Sequence, residues 1–110
     1  MRARAEVEAG VCGFKATIVA ASGDGQNVTF DIKTDCEKNA AAAAKLMARG
    51  PVDAFQEISP AGEGVVMGIV RQHLKGCCAA CAIPVGVFKA MQVAAGLALP
   101  QDVTIRIEKE

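Results

Sequence analysis

The chain has 110 residues, 52% of them hydrophobic, and its twelve basic residues balance twelve acidic ones. A chain of this length is expected to form one domain, residues 1–110, around a single core. Because no surplus of Lys and Arg is present to neutralise phosphates, the composition argues against nucleic-acid binding and against binding to an anionic lipid surface.

The first third of the chain shows the alternation of half-buried strands. Residues 4–12 place four apolar side chains on one face and charged side chains on the other. Residues 14–21 and 28–33 repeat this pattern and are separated by a turn cluster over 23–27. Three strands in such close succession predict an antiparallel meander.

The period changes after Asp35. Residues 37–49 predict a helix, which has Arg49 in its last turn and stops before Gly50 and Pro51. Residues 53–58 predict a short helix and residues 59–64 a loop. Residues 65–74 place their apolar side chains at helical spacing, although their first three residues would also suit a strand.

The last third of the chain predicts one more helix and a final strand. Pro84 suits the first turn of a helix that ends near Gly96. Residues 103–107 alternate again and predict a strand. The expected fold is therefore α+β: a three-stranded antiparallel meander followed by helices packed on one face, with a C-terminal strand, in the order β-β-β-α-α-α-β.

Cellular location is inferred from the absence of sorting signals. We expect no signal peptide, since the charged N-terminus leads into alternating residues. We also expect no membrane span, because Gly, Pro or Lys interrupts the apolar stretches. The protein is therefore expected in the cytoplasm, where thiols stay reduced. There, an odd number of clustered cysteines favours metal binding or redox chemistry over a disulfide framework.

The five cysteines are the strongest functional signal: Cys12, Cys36, Cys77, Cys78 and Cys81. Cys12 is predicted to close the first strand, beside Gly13. Cys36 and Cys81 precede predicted helices, whose free N–H groups and dipole stabilise a thiolate. Cys78 and Cys81 form a C-x-x-C pair, the spacing at which two sulfurs chelate one ion. Several converging thiolates bind zinc or iron–sulfur clusters.

Alternative roles remain open for some of these residues. Cys12 also fits a small apolar residue in the core, since free cysteine is often buried. Either Cys77 or Cys78 could be the ligand from the cluster. His73 fits a surface residue at a helix end better than a ligand or a base. Asp35 and Glu37, on either side of Cys36, fit helix N-capping and dipole complementation better than tuning of a metal.

The order of these motifs resembles that of the NifU/IscU-type iron–sulfur scaffold proteins. Their first motif, Cys-Gly-Asp, is similar to Cys12-Gly13-Phe14, and their second cysteine, which opens a helix, is similar to Cys36. Cys77-Cys78 or Ala80-Cys81 stands in the place of their third cysteine, ahead of a late helix. The resemblance covers residues 4–95 and implies cluster assembly or transfer with a partner protein.

This chain departs from that family at several points. Phe14 replaces an Asp associated with a labile cluster, the His before the third cysteine is missing, and an extra cysteine is present. These differences imply a site that holds its metal rather than handing it on. The motifs Cys-Gly-Phe, Asp-Cys-Glu and Leu-Ala-Leu-Pro-x-Asp-Val also resemble a group of short uncharacterised proteins from anaerobes, and that resemblance implies no function.

The leading hypothesis is one metal site, an iron–sulfur cluster or zinc, ligated by Cys12, Cys36, Cys78 and Cys81. A closed four-thiolate shell has no open position for a substrate, so we expect a structural, electron-carrying or cluster-handling role rather than an enzyme. The first alternative is a thiol–disulfide redox protein that uses Cys78 and Cys81. The second is a metal-free interaction domain. An exposed sheet edge and the apolar composition favour a homodimer.

Overall fold

The computed structural model describes residues 1–59 and 61–110. Its elements in chain order are β1 (Arg2–Glu8), β2 (Lys15–Ala21), β3 (Asn27–Thr34), α1 (Glu37–Arg49), β4 (Val52–Asp53), α2 (Ala54–Ile58), α3 (Val65–His73), a 3-10 helix (Gly76–Ala80) and α4 (Ile83–Ala94). The strands form one antiparallel sheet in the order β1-β2-β3-β4, in which β1 is an edge strand.

The alternation of apolar residues gives the sheet one buried face. Ile18 of β2 lies opposite Ala5 of β1 and Ile32 of β3, so apolar side chains align across the three strands. Ile18 is fully buried and Ile32 nearly so, whereas the charged residues of β1 lie on the opposite, open face. A sheet with this pattern must bury its apolar side under helices.

The helices supply that cover on the same face. α1 packs on β3, α4 packs across β1 and β2, and α3 packs against α1. The alanine run of α1 contributes the buried Ala42 and Ala43, whose small side chains allow a close approach to the sheet. α4 buries Ile83, Val87 and Met91 beneath it.

A buried carboxylate joins α2 to α3. The side chain of Glu57 accepts hydrogen bonds from the backbone N–H groups of Val65 (2.9 Å) and Val66 (2.6 Å). These N–H groups lie in the first turn of α3, where they have no partner within the helix. Gly64 precedes them with φ of 86°, close against the Glu57 carboxylate. Glu57 therefore caps a helix to which it does not belong.

The α+β class, the antiparallel meander and the helices on one face are confirmed. The first strand ends at Glu8, earlier than predicted, because Gly10 (φ 97°) and Gly13 (φ 76°) turn the chain. The prediction that Cys12 closes this strand is therefore wrong. The two-residue strand β4 was not predicted.

The predicted C-terminal strand over residues 103–107 is not formed in the single chain. These residues lie outside any helix or strand, and their side chains are exposed. Within the predicted loop over 59–64, Pro60 lies outside the described residues.

One apolar stretch, Gly76–Ala94, is long enough to cross a membrane by length and composition, with a mean hydropathy of 1.6. No such stretch was expected from the sequence. Here it comprises the 3-10 helix and α4, and α4 packs on the sheet as the core helix of a globular domain does. The packing of Ile83, Val87 and Met91 in the core accounts for part of its apolar character.

Candidate cysteine site

One end of the sheet carries two of the cysteine-bearing segments. Cys12 lies in the turn that leads into β2 at Lys15. Thr34, the last residue of β3, pairs with Ala16 at the same end, and Cys36 follows two residues later. The sheet register thus brings the turn between β1 and β2 and the start of α1 to a common end of the molecule.

Polar contacts hold the start of α1 against β2. The Asp35 carboxylate accepts a hydrogen bond from the backbone N–H of Lys15 (2.9 Å). The hydroxyl of Thr34 donates to the carbonyl of Lys15 (2.7 Å) and accepts from the N–H of Cys36 (3.2 Å). Asp35 therefore binds β2 rather than capping α1, which corrects the capping prediction for this residue.

Cys36 occupies the N-cap position of α1 and is buried. Three residues on, the side chain of Asn39 is buried as well, and its Nδ2 donates to the Cys36 sulfur (3.4 Å) and to the Cys81 sulfur (3.6 Å). One amide group thus contacts two cysteines from distant parts of the sequence. This contact joins the start of α1 to the residue that ends the 3-10 helix before α4.

The surroundings of Cys36 favour its thiolate form. Burial alone would raise the pKa of the thiol, but the backbone and side-chain N–H groups of Asn39 and the backbone N–H of Lys38 lower it. These donors outweigh both burial and the nearby Asp35 carboxylate, so the pKa of Cys36 lies below its ordinary value.

Cys78 joins the same group of residues through α1. The ammonium of Lys38 donates to the Cys78 sulfur at 3.7 Å. Cys78 and Cys81 are half-buried, whereas Cys77 is exposed. Of the two adjacent cysteines, Cys78 is therefore the one with a contact to the first turn of α1.

Three of the four predicted ligands, Cys36, Cys78 and Cys81, thus contact two neighbouring residues, Lys38 and Asn39. Cys12 is exposed, so its prediction as a small core residue is wrong. Within residues 1–59 and 61–110, no three His, Cys, Asp or Glu side chains are already arranged to hold a metal ion.

A family model matches residues 3–107, and its description is a family of unknown function, DUF6951. The chain belongs to this family. Its shared region begins in β1, contains all five cysteines and continues through the exposed residues after α4. The comparison with curated proteins and the comparison with solved structures found no match to the chain.

Within this DUF6951 domain, the contacts of Lys38 and Asn39 with the cysteines were not predicted from the sequence. A signal was present, because residues two and three places after an N-cap lie in the first turn of the helix, beside the capping side chain. His73 lies in the last turn of α3, and its Nδ1 lies 2.9 Å from the carbonyl of Ile69 in the same helix. This local contact agrees with a role at a helix end.

Proposed function

We propose that the protein binds an iron–sulfur cluster or a zinc ion through cysteine thiolates. Cys36, Cys78 and Cys81 would supply three ligands, and Cys12 the fourth. The observation that carries this proposal is the contact of the Asn39 amide with the sulfurs of both Cys36 and Cys81. Soft thiolates from separate elements that meet at one point are the ligand set that zinc and iron–sulfur clusters require.

The turn that contains Cys12 suits a fourth ligand. It lies at the same end of the sheet as Cys36, and Gly10 and Gly13 shape its backbone. Val11 is fully exposed, and Cys12 is exposed as well. These two side chains therefore have little packing to lose if the turn moves toward Cys36.

Donors around the sulfurs favour a bound anionic cluster or thiolate-ligated ion. Lys38 contacts Cys78, and Asn39 contacts Cys36 and Cys81. Hydrogen bonds from an outer layer of residues orient metal ligands and tune the bound group. With four thiolates the shell is closed, so the proposed role is structural, electron-carrying or cluster-handling rather than hydrolytic.

The resemblance to NifU/IscU-type scaffolds supports an iron–sulfur cluster as the cargo and a partner protein as donor or acceptor. Phe14, which stands where that family has Asp, is 39% exposed and follows Cys12 by two residues. The loss of the Asp associated with a labile cluster would favour retention of a cluster over its release. We also place the protein in the cytoplasm, where its free cysteines would stay reduced.

Elemental analysis and an absorption spectrum of protein purified without oxygen test the proposal. We expect iron with acid-labile sulfide and a broad visible band, or about one equivalent of zinc. Cys36→Ser and Cys81→Ser should lose most of the bound metal. The matched control is Cys77→Ser, which changes the neighbour of Cys78 and should retain the bound metal. Metal-free protein with five titratable thiols, or equal loss in the control, would overturn the proposal.

A second candidate is thiol–disulfide exchange, favoured by the position of Cys36 and Cys81 on either side of one amide group. The two thiols would transfer two electrons and two protons to a substrate disulfide, forming a Cys36–Cys81 disulfide and releasing two substrate thiols. The pair differs from Cys78 and Cys81, which the sequence suggested. Mass spectrometry of metal-free protein after oxidation distinguishes a Cys36–Cys81 disulfide from a Cys78–Cys81 disulfide. If all five thiols remain free after oxidation, both pairings are ruled out.

A further inference from the structure

The chain after α4 carries a strand-like pattern that its own sheet does not use. Every residue from Leu99 to Glu110 is exposed. Val103, Ile105 and Ile107 are 53%, 68% and 88% exposed, and they alternate with Thr104 and Arg106. Alternation of β-branched and polar residues is typical of a strand with one buried face. Solvent exposure of three large aliphatic side chains in one short segment indicates a surface that a partner covers.

The sheet has an edge that would accept such a strand. β1 pairs with β2 along its whole length, from Arg2 to Glu8, and its other side has no strand in the described part of the chain. Its inward residues, Ala3, Ala5 and Val7, are only partly buried against the core. An edge of seven residues with free N–H and C=O groups is a template for another strand.

One antiparallel register joins opposite charges at two positions. When Arg106 lies opposite Glu6, Glu108 lies opposite Arg4, so both pairs join opposite charges. In the same register Ile105 lies beside Val7, on the core side of the sheet. The parallel register that aligns Ile105 with Ala5 also pairs Arg106 with Glu6, but it places Glu108 against Glu8.

The direction of the chain indicates which molecule supplies the strand. The backbone of Ala95 lies beside Gly25, and the Met1 ammonium donates to the carbonyl of Ser22, so the C-terminal segment leaves near the Arg2 end of β1. Alongside its own β1 the segment would run parallel. To run antiparallel to its own β1, the segment would have to begin at the Glu8 end of that strand. Residues 96–102 would then have to span the whole length of β1, about 24 Å, which they can do only when fully extended.

We propose that Val103–Glu110 of one copy adds as an antiparallel strand to the outer edge of β1 in a second copy, and reciprocally, giving a homodimer. In the dimer the exposed aliphatic side chains of the C-terminal segment are covered, and the β1 edge of each sheet gains a hydrogen-bonded strand. The proposal is independent of metal binding.

Light scattering and sedimentation of the full chain in reducing buffer test the proposal, with the reductant excluding disulfide-linked dimers. We expect twice the chain mass of 11.3 kDa. Ile105→Asp combined with Ile107→Asp should give a folded monomer, because these side chains are already exposed in the single chain. Circular dichroism would establish that the variant keeps its secondary structure.

A charge swap tests the register. Glu6→Arg or Arg106→Glu alone should raise the dimer dissociation constant on the order of tenfold, and the two together should restore it. Lys33→Glu, on the exposed face of β3, is the matched control and should leave dimerisation unchanged. A monomeric wild type, a dimer unaffected by the Ile variants, or single and double charge variants that behave alike would each overturn the proposal.

Discussion

Gly86 of α4 lies directly against Val7 of β1. A methyl group at position 86 would overlap Cγ2 of Val7 and would reach 3.4 Å from Cδ1 of Ile18. The absence of a side chain at Gly86 therefore sets how closely α4 approaches the sheet.

Gly86→Ala should lower the free energy of unfolding by about 1–3 kcal/mol, because the added methyl must displace α4 or Val7 in a packed interior. Urea denaturation followed by circular dichroism measures this effect, since the chain has no Trp or Tyr. Combining the change with Val7→Ala should cost less than the sum of the two single changes. Gly62→Ala, with open space around it, should be nearly neutral, and a comparable loss there would contradict the account.

Glu57→Ala should destabilise the protein by about 1–3 kcal/mol, because the N–H groups of Val65 and Val66 lose their acceptor while Val66 stays buried. Glu63→Ala is the control. It removes an exposed ion pair with Arg71, which should change stability by less than about 0.5 kcal/mol. Denaturation curves of the two variants decide the matter, and equal losses would refute the capping role.

Asp24 gives a prediction for acid stability. Its pKa is held well below 3.8 by the side chain of Asn27 and by the backbone N–H groups of Asn27 and Gln26. The pKa of Asp24 is lower in the folded than in the unfolded chain. The carboxylate therefore contributes its full stabilisation at pH values above 3.8. This stabilisation is lost as the pH falls through the lower, folded-state value.

Asp24→Asn should therefore be less stable than the parent protein at neutral pH, and the difference should shrink as the pH falls below 3.8. Unfolding midpoints measured against pH test this, together with the carboxyl carbon shift of Asp24 in NMR spectra. Asp31→Asn, at an exposed position on β3, is the control. A difference that stays constant down to the lowest pH would contradict the prediction.

Asn39→Leu keeps much of the side-chain volume at position 39 but removes the side-chain donor to Cys36. We expect the pKa of Cys36 to rise toward its ordinary value, so less thiolate would be present at a given pH below it. The Cβ chemical shift of Cys36, followed through a pH titration of metal-free protein, reports this directly. The shift of the exposed Cys77 serves as an internal reference, and an unchanged Cys36 titration would show that the amide has no such role.

Local sequence patterns predicted most elements of the fold for clear physical reasons. The alternation that buries Ile18 and Ile32 marks strands, and the alanine run closed by Gly50 marks α1. The β4 strand was missed because Val52–Asp53 is too short to show a period. The strand over 103–107 was predicted from a real alternation, but in the single chain this segment pairs with none of the described strands.

The candidate site depended on information that is not local. The positions of Cys36 and Cys81 ahead of helices were readable from Pro84 and from the change of period at Asp35. Their common contact with Asn39 arises from the packing of α1 and α4 on one sheet, which no spacing in the sequence encodes. The position of Cys12 was wrong because two glycines end β1 early.

The contact between Asn39 and Cys81 also brings together the starts of two helices, α1 and α4. Each helix start carries a partial positive charge, and Lys38 adds a full one nearby. Asp35 and Glu37 lie at the same start of α1, so positive and negative groups adjoin each other around Cys36. Salt screens exposed charges, so the electrostatic effect on the sulfurs should come from the donor groups of Lys38 and Asn39 rather than from the charge of the whole molecule.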